Sequence, residues 1–134
     1  MNTKKEMLKS ALESLGYKPQ EDQDGDIFIR YQMKTLYFQA EESEEEPYAA
    51  VVLPQFHSFD EEEAIKTLTV CNKLTRELKM IKVVIDHTLR STTAICEFYF
   101  TDEESLKNSL KHAIHIIGLI RMKFYETLRE LDID

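Results

Sequence analysis

The stretch Ser58–Asp86, SFDEEEAIKTLTVCNKLTRELKMIKVVID, decides the fold because a charged helix in it runs with almost no loop into an apolar strand. Ser58 and Asp60 are candidate N-caps, and the acidic residues 61–63 lie where the helix dipole is positive. Apolar and small residues at steps of three and four predict one buried helical stripe, formed by Ala64, Leu68, Cys71, Thr75 and Leu78. Residues 81–85 then predict a strand with one buried face.

The flanking segments complete a small α+β domain. A first helix is predicted over Thr3–Leu15 and ends at Gly16, and a last helix, capped by Thr101, runs to the C-terminus. Alternating apolar residues predict three further strands, over residues 26–31, 35–40 and 92–100. A fourth, over residues 48–53 and ended by Pro54, is apolar on both sides, which suggests a central or doubly covered position. The predicted element order is therefore α-β-β-β-α-β-β-α, in a single domain over residues 1–134.

The charge of the chain excludes some partners. With a formal net charge of −8 over 134 residues, it disfavours nucleic acid and anionic membranes, because both carry the same sign of charge. Residues 41–46 are mostly glutamate and predict a solvated loop. No signal peptide and no apolar run of about 20 residues is present, so a bacterial cytoplasmic protein is expected.

Strand alternation separates two faces of the predicted antiparallel sheet. One face is apolar and must be covered, so the helices are expected to pack mainly on that side. This face carries Ile27, Ile29, Leu36, Phe38, Val83, Ile85, Ala94, Cys96, Phe98 and Phe100. The other face mixes apolar and charged side chains, as a docking surface does. The predicted partner-binding residues on it are Phe28, Arg30, Tyr37, Gln39, Val84, Ile95, Glu97 and Tyr99.

Histidines and cysteines are the side chains considered for metal binding or catalysis. His112 and His115 are three apart on the last helix and could share a metal, although a third ligand is not evident. A small metal- or ligand-binding enzyme is accordingly the alternative function. Cys71 and Cys96 lie on apolar sides of their elements and predict buried hydrophobic residues. Neither a catalytic residue nor a cofactor is predicted.

One polar turn resembles a calcium loop only superficially. Asp22, Asp24 and Asp26 surround Gly25, but the glycine of an EF-hand comes one residue later in the pattern. The twelfth position is Met33, where the calcium loop requires glutamate. A plain turn is predicted here, with no metal.

The central helix carries apolar residues that do not fit its predicted stripe. Ile65, Leu74 and Met80 form an apolar margin, which a second copy of the chain commonly covers. A homodimer is therefore predicted; the alternative is that the long last helix covers this margin within one chain. Asn72 lies at the edge of the stripe and is expected to hydrogen-bond a neighbouring backbone.

Three short sequence segments resemble those of a known family: Leu15-Gly16-Tyr17, Asp24-Gly25-Asp26-Ile27 and Cys71-Asn72-Lys73-Leu74-Thr75. Over roughly residues 5–128 the chain resembles the YbjN-like proteins, whose fold is similar to that of type III secretion chaperones. In that family a second asparagine often stands where this sequence has Thr75. The resemblance implies a regulator of sensory transduction or stress, and the secretion chaperones are dimers that bind an extended partner segment on their sheet. The predicted function is a non-enzymatic protein-binding or regulatory module, chaperone-like or adaptor, whose protein or peptide partner is unidentified.

Overall fold

The computed structural model describes residues 3–40 and 47–132, so the predicted acidic loop at 41–46 lies outside the described residues. The three helices are α1 (Lys4–Ser14), α2 (Ala64–Glu77) and α3 (Glu103–Leu131), and a 3₁₀ turn, Glu61–Glu63, precedes α2. The strands are β1 (Gln20–Glu21), β2 (Ile27–Tyr31), β3 (Lys34–Ala40), β4 (Tyr48–Ser58), β5 (Ile81–Ile85) and β6 (Ser91–Tyr99). All strand pairs are antiparallel, in one sheet of order β1-β2-β3-β4-β6-β5. The predicted α+β class is confirmed.

The core lies between the helices and one face of this sheet. All three helices contribute buried side chains to a single apolar cluster, represented by Leu12 of α1, Val70 of α2 and Ile114 of α3. Eight of the ten residues predicted on the apolar sheet face are buried, and Ile85 and Phe98 are partly buried against the same cluster. None of the described helices is long and apolar enough to cross a bilayer.

The helix ends follow local sequence chemistry. The Thr3 side chain accepts the Glu6 N–H at 3.1 Å and caps α1, and Gly16 follows the helix with a φ of +95°, a conformation that glycine adopts without strain. Asp60 is the N-cap of the turn that leads into α2. The cap of α3 is Asp102, which accepts the Ser105 N–H at 2.7 Å, and not the predicted Thr101.

The buried stripe of α2 differs from the prediction. The buried residues are Thr67, Val70, Cys71 and Leu74, so only Cys71 belongs to both the predicted and the observed set. The side chain of Leu68 is 54% exposed and Thr75 is exposed as well. The helix is rotated about its axis relative to the prediction: its buried side is centred on Val70, Cys71 and Leu74, and Leu68 and Thr75 face outward beside β5.

Strand β4 is longer than predicted. Pro54 was expected to end it, but the strand continues to Ser58, which pairs with Ser91 of β6. The register shifts between Leu53 and His57, and Gln55 has a φ of +48° at this irregularity. Proline is tolerated at such a bulge because its missing N–H leaves no ladder bond unmade there.

Candidate protein-binding surface

The face of the sheet opposite the core carries a continuous row of side chains that crosses five strands. Cross-strand pairing aligns one residue from each of β2, β3, β4, β6 and β5, namely Phe28, Tyr37, Val52, Ile95 and Lys82. At a strand spacing near 4.8 Å this row is about 19 Å long. The first four members are partly buried, and Lys82 is exposed. We call this surface the open face, because the described helices all pack on the other side.

Aromatic rings stand at both ends of the open face. The Phe28 and Tyr37 rings lie 5.9 Å apart between centroids, and the Arg30 guanidinium lies 6.0 Å from the Phe28 ring. Near the start of β4, Tyr48 pairs with Tyr99 of β6, with ring centroids 6.0 Å apart. Tyr99 is 68% exposed. Rigid rings backed by an arginine give the face the composition of a protein interface.

A polar cluster interrupts the apolar surface. The Tyr48 hydroxyl donates to Glu97 Oε2 at 2.5 Å, and the Lys82 ammonium forms an ion pair with the other carboxylate oxygen of Glu97. Both contacts lower the pKa of Glu97, and the contact with Lys82 has the larger effect. The carboxylate is therefore ionised at neutral pH and already paired, so a partner that covers it does not bury an isolated charge.

All eight predicted partner-binding residues belong to β2, β3, β5 or β6 and fall on the open face by register. Three of them, Phe28, Tyr37 and Ile95, share the central row. The others lie in the flanking rows: Arg30, Gln39, Val84, Glu97 and Tyr99. Their role in binding stays a prediction. Sequence reasoning missed Val52 and Tyr48, because the strand that holds them is apolar on both sides and its parity cannot be assigned from pattern alone.

A second surface lies between α2 and β5, and we call it the edge groove. It has a volume of about 820 Å³ and is mainly apolar; its lining includes Ala64, Leu68, Cys71, Val83, Ile85 and Leu89. Of the five residues predicted to form the buried stripe, four line this groove: Ala64, Leu68, Cys71 and Thr75. The apolar spacing correctly predicted an apolar side of the helix. It did not predict that this side lines a groove and is partly exposed.

The floor of the edge groove is closed by one hydrogen-bonded contact. The Val83 N–H donates to Thr75 Oγ1 at 2.9 Å, and the Thr75 hydroxyl lies 3.4 Å from the Val83 carbonyl oxygen. A link of this kind was predicted for Asn72, which is instead exposed at the rim of the groove. Since β5 is the last strand of the sheet, Thr75 satisfies backbone groups that would otherwise be open to another strand.

Among the described residues, no third ligand joins the two histidines that were considered for a metal. His112 and His115 are exposed on α3. Within the described ranges, the only group of three potential ligands whose atoms lie close together is Asp22, Asp24 and Asp26. There Asp22 Oδ1 accepts the N–H groups of Asp24 and Asp26 at 3.0 and 2.9 Å, which is the geometry of a capped turn.

The two cysteines are free and buried. Burial raises the pKa of Cys71 to about 11 and that of Cys96 to about 12. Both thiols are therefore protonated at neutral pH, and the thiolate, which is the nucleophile, is scarcely populated. This agrees with the prediction that they act as small apolar side chains.

Comparison with known proteins now assigns the chain to a family. Residues 4–130 match the family YbjN, described as "Putative bacterial sensory transduction regulator". The chain belongs to the YbjN family. The family is described as regulatory, which supports the predicted non-enzymatic class. No curated protein matches the sequence.

Solved structures share the fold at low sequence identity. The crystal structure of YbjN from E. coli, titled as a putative transcription regulator, superposes with a TM-score of 0.63 at 9% identity, covering 92% of this chain and 90% of that one. An uncharacterized protein from Methanothermobacter thermautotrophicus gives 0.58 at 10% identity, with 94% and 96% covered. At these identities the likeness supports the fold and carries no function.

Proposed function

We propose that this chain is a non-enzymatic regulatory module that binds a protein or peptide on its open face, as a chaperone-like protein or an adaptor. The observation that carries the proposal is the row of Phe28, Tyr37, Val52 and Ile95 across four neighbouring strands, on the side that the described helices leave uncovered. The regulatory description of the family supports it. The cytoplasmic location stays a prediction.

The composition of the open face favours a protein over a small molecule. The row extends about 19 Å across the sheet, a length over which a polypeptide segment can make contacts. Small-molecule sites are concave and mostly enclose their ligand. Aromatic residues and arginine, the types enriched in protein interfaces, are represented here by Tyr37, Tyr99 and Arg30. No cofactor forms part of the proposal.

We also propose that the module is a homodimer. The predicted apolar margin was wrong for Leu74, which is buried, and Met80, 38% exposed, lies beyond the end of α2. Ile65, on α2, is 81% exposed. The end of α3 forms ion pairs with Lys66 and Lys73, on the adjacent side of α2, and leaves Ile65 uncovered. A second copy of the chain would cover this apolar margin.

Charge insertion on the open face tests the binding proposal. Tyr37→Glu and Val84→Glu each place an uncompensated carboxylate on this face, and we expect both to abolish the recovery of specific partners in affinity pull-downs from the native cell. Met122→Glu is the matched control, since Met122 is 52% exposed on α3. The proposal is wrong if both open-face variants keep a native circular dichroism spectrum and recover the same partners as the wild type and the control.

A further inference from the structure

The outer surface of α2 forms an exposed ridge with a definite order of charge. Residues at steps of three, four and four share this side of the helix: Ile65, Leu68, Asn72 and Arg76. Glu61, in the 3₁₀ turn that leads into α2, precedes them. All five are exposed, and the two apolar members are 81% and 54% exposed. Large apolar side chains presented together in this way mark an interaction site. The ridge runs from an acidic end to a basic end.

The edge groove lies directly beside the ridge and extends its apolar surface. Leu68 belongs to both, and Leu89, at the turn between β5 and β6, is 71% exposed at the rim. Together they offer a partner helix a ridge to pack against and a concave surface that receives side chains.

The charge order makes the ridge complementary to itself in one orientation. When two copies of α2 pack antiparallel about a two-fold axis near Leu68, Glu61 of one copy faces Arg76 of the second, and the symmetry repeats the contact. The distance from Glu61 to Arg76 along the axis is about 24 Å, at about 2.0 Å per residue in the 3₁₀ turn and about 1.5 Å in α2, so both ends of the ridge lie within one helix–helix contact. A parallel arrangement would instead set Glu61 against its own copy.

Pairing through the strand edge is a less favourable route to the same dimer. The N–H of Val83, the central residue of β5, already donates to the Thr75 hydroxyl, and its carbonyl oxygen lies 3.4 Å from the same group. A strand added along β5 would have to displace this contact. The available surface of this edge is thus the helix and its groove, not the backbone.

We infer that two copies of this chain associate through α2, antiparallel about a two-fold axis, with Ile65 and Leu68 buried and Glu61 paired with Arg76 of the second copy. This inference rests on the homodimer in the proposed function and specifies its interface. It leaves the open faces of both copies free, so that a dimer presents two separate binding surfaces to its partners.

Charge exchange between two variants of the full-length chain tests the interface. In Glu61→Arg and in Arg76→Glu, like charges face each other twice across the axis, and we expect the dissociation constant of the dimer to rise about tenfold or more in each. An equimolar mixture of the two variants restores both attractive contacts, as does the double variant E61R/R76E. Light scattering coupled to size exclusion, over a dilution series, reads the mass against the 15.8 kDa of one chain.

Matched variants on α3 control for non-specific effects. Leu68→Glu is expected to give a monomer, while Met122→Glu, at a site of similar exposure (52%), stays dimeric. Arg121→Glu, also exposed, is the control for Arg76→Glu. Circular dichroism verifies that each variant is folded.

Two results would overturn the inference, and they are distinguishable. A wild-type chain that stays at the mass of one copy at high concentration removes the dimer altogether and leaves partner binding by the open face intact. A dimer that survives Leu68→Glu and both charge reversals, but dissociates in Tyr37→Glu, moves the interface to the open face. Loss of partners in Tyr37→Glu with the dimer unchanged would support both proposals.

Discussion

At the scale of single residues, Gly118 fixes the distance between α3 and the sheet. It is buried in the helix, and a Cβ built on it would lie 2.6 Å from Cε2 of Tyr31, closer than two carbon atoms can approach. The Tyr31 ring is held in turn by Tyr17, with ring centroids 6.0 Å apart. The glycine is therefore required by packing and not by its backbone conformation.

We expect Gly118→Ala to destabilise the protein by about 1 kcal/mol. Alanine gains up to about 1 kcal/mol of helix propensity over glycine, but overpacking a fitted site costs about 1–3 kcal/mol. In a Tyr31→Ala background the clash is gone, so the same substitution should become neutral or stabilising. Urea unfolding of the four chains in this double-mutant cycle measures the effect; equal changes in both backgrounds would show that Tyr31 does not restrict this position.

His57 is a second residue whose environment has a measurable consequence. It lies on β4 after the bulge, with Nδ1 3.0 Å from the Tyr125 hydroxyl and its ring 4.8 Å from that of Phe124. Its Nε2 is buried and has no partner in the described structure. Burial lowers the pKa of His57 below 6.5, and the nearby Glu63 opposes this only in part.

Stability should therefore fall as the pH drops through the range in which histidine is protonated. The unfolded chain takes up this proton near pH 6.5, and the folded chain does so only at lower pH. The contribution of neutral His57 is complete above pH 6.5 and is lost between that value and the lower pKa of the folded state. Urea unfolding between about pH 7.5 and pH 5 should show a steeper loss for the wild type than for His57→Gln.

His112→Gln, the same substitution at an exposed position of α3, is the matched control for His57→Gln. Carboxylates with lowered pKa, such as Glu97, lose their contribution below 4.5 and so fall outside this range. Identical profiles for wild type and His57→Gln would contradict the account of this site.

At the scale of elements, α2 shows what a sequence pattern can and cannot determine. Two lines on this helix have helical spacing, one through Ala64, Leu68 and Thr75, the other through Val70 and Leu74. Both contain apolar residues, so periodicity predicts the helix but does not choose between its sides. The choice is made by the position of β5 and α3, which depends on contacts distant in sequence.

The contact between Thr75 and β5 uses the Thr75 hydroxyl in both directions. A hydroxyl can donate one hydrogen bond and accept others. Thr75 therefore supplies a donor for the Val83 carbonyl and an acceptor for its N–H.

We expect Thr75→Val, which keeps the shape and removes the hydroxyl, to cost about 1 kcal/mol of the free energy of unfolding. The matched control is Thr69→Val on the same helix, because the Thr69 hydroxyl only donates to the Ile65 carbonyl one turn back. That change should stay within about 0.5 kcal/mol. Chemical denaturation of both variants decides, and an equal effect at the two sites would show that the Val83 contact is not stabilising.

At the scale of the whole molecule, the two faces of the sheet were predictable because side chains alternate in every strand. Ile27 and Phe28, or Cys96 and Glu97, are assigned to opposite faces by parity alone, and the observed registers agree. Val52 could not be assigned in this way, and the two-residue strand β1 is too short to give a pattern. The edge groove was not predictable, since it exists only once α2 and β5 are placed together.

The two proposed surfaces meet at β5. Val84 lies on the open face by register and also lines the edge groove, whereas Tyr37, on β3, is separated from β5 by two strands. A variant at Tyr37 therefore reports on partner binding alone. A dimer through α2 would place the two open faces on the outside, where each can act as a separate binding surface.

Site-specific photo-crosslinking in the native cell tests directly whether a protein binds the open face. The photoreactive residue p-benzoylphenylalanine is introduced at Tyr37, at Ile95 and, as the control on α3, at Met122, which is 52% exposed. We expect both open-face positions to crosslink to the same protein, the control not to do so, and Ile95→Glu to abolish the product formed from position 37. Crosslinking of that protein from the α3 position alone, or no product from either open-face position in the folded chain, would show that the open face does not bind it.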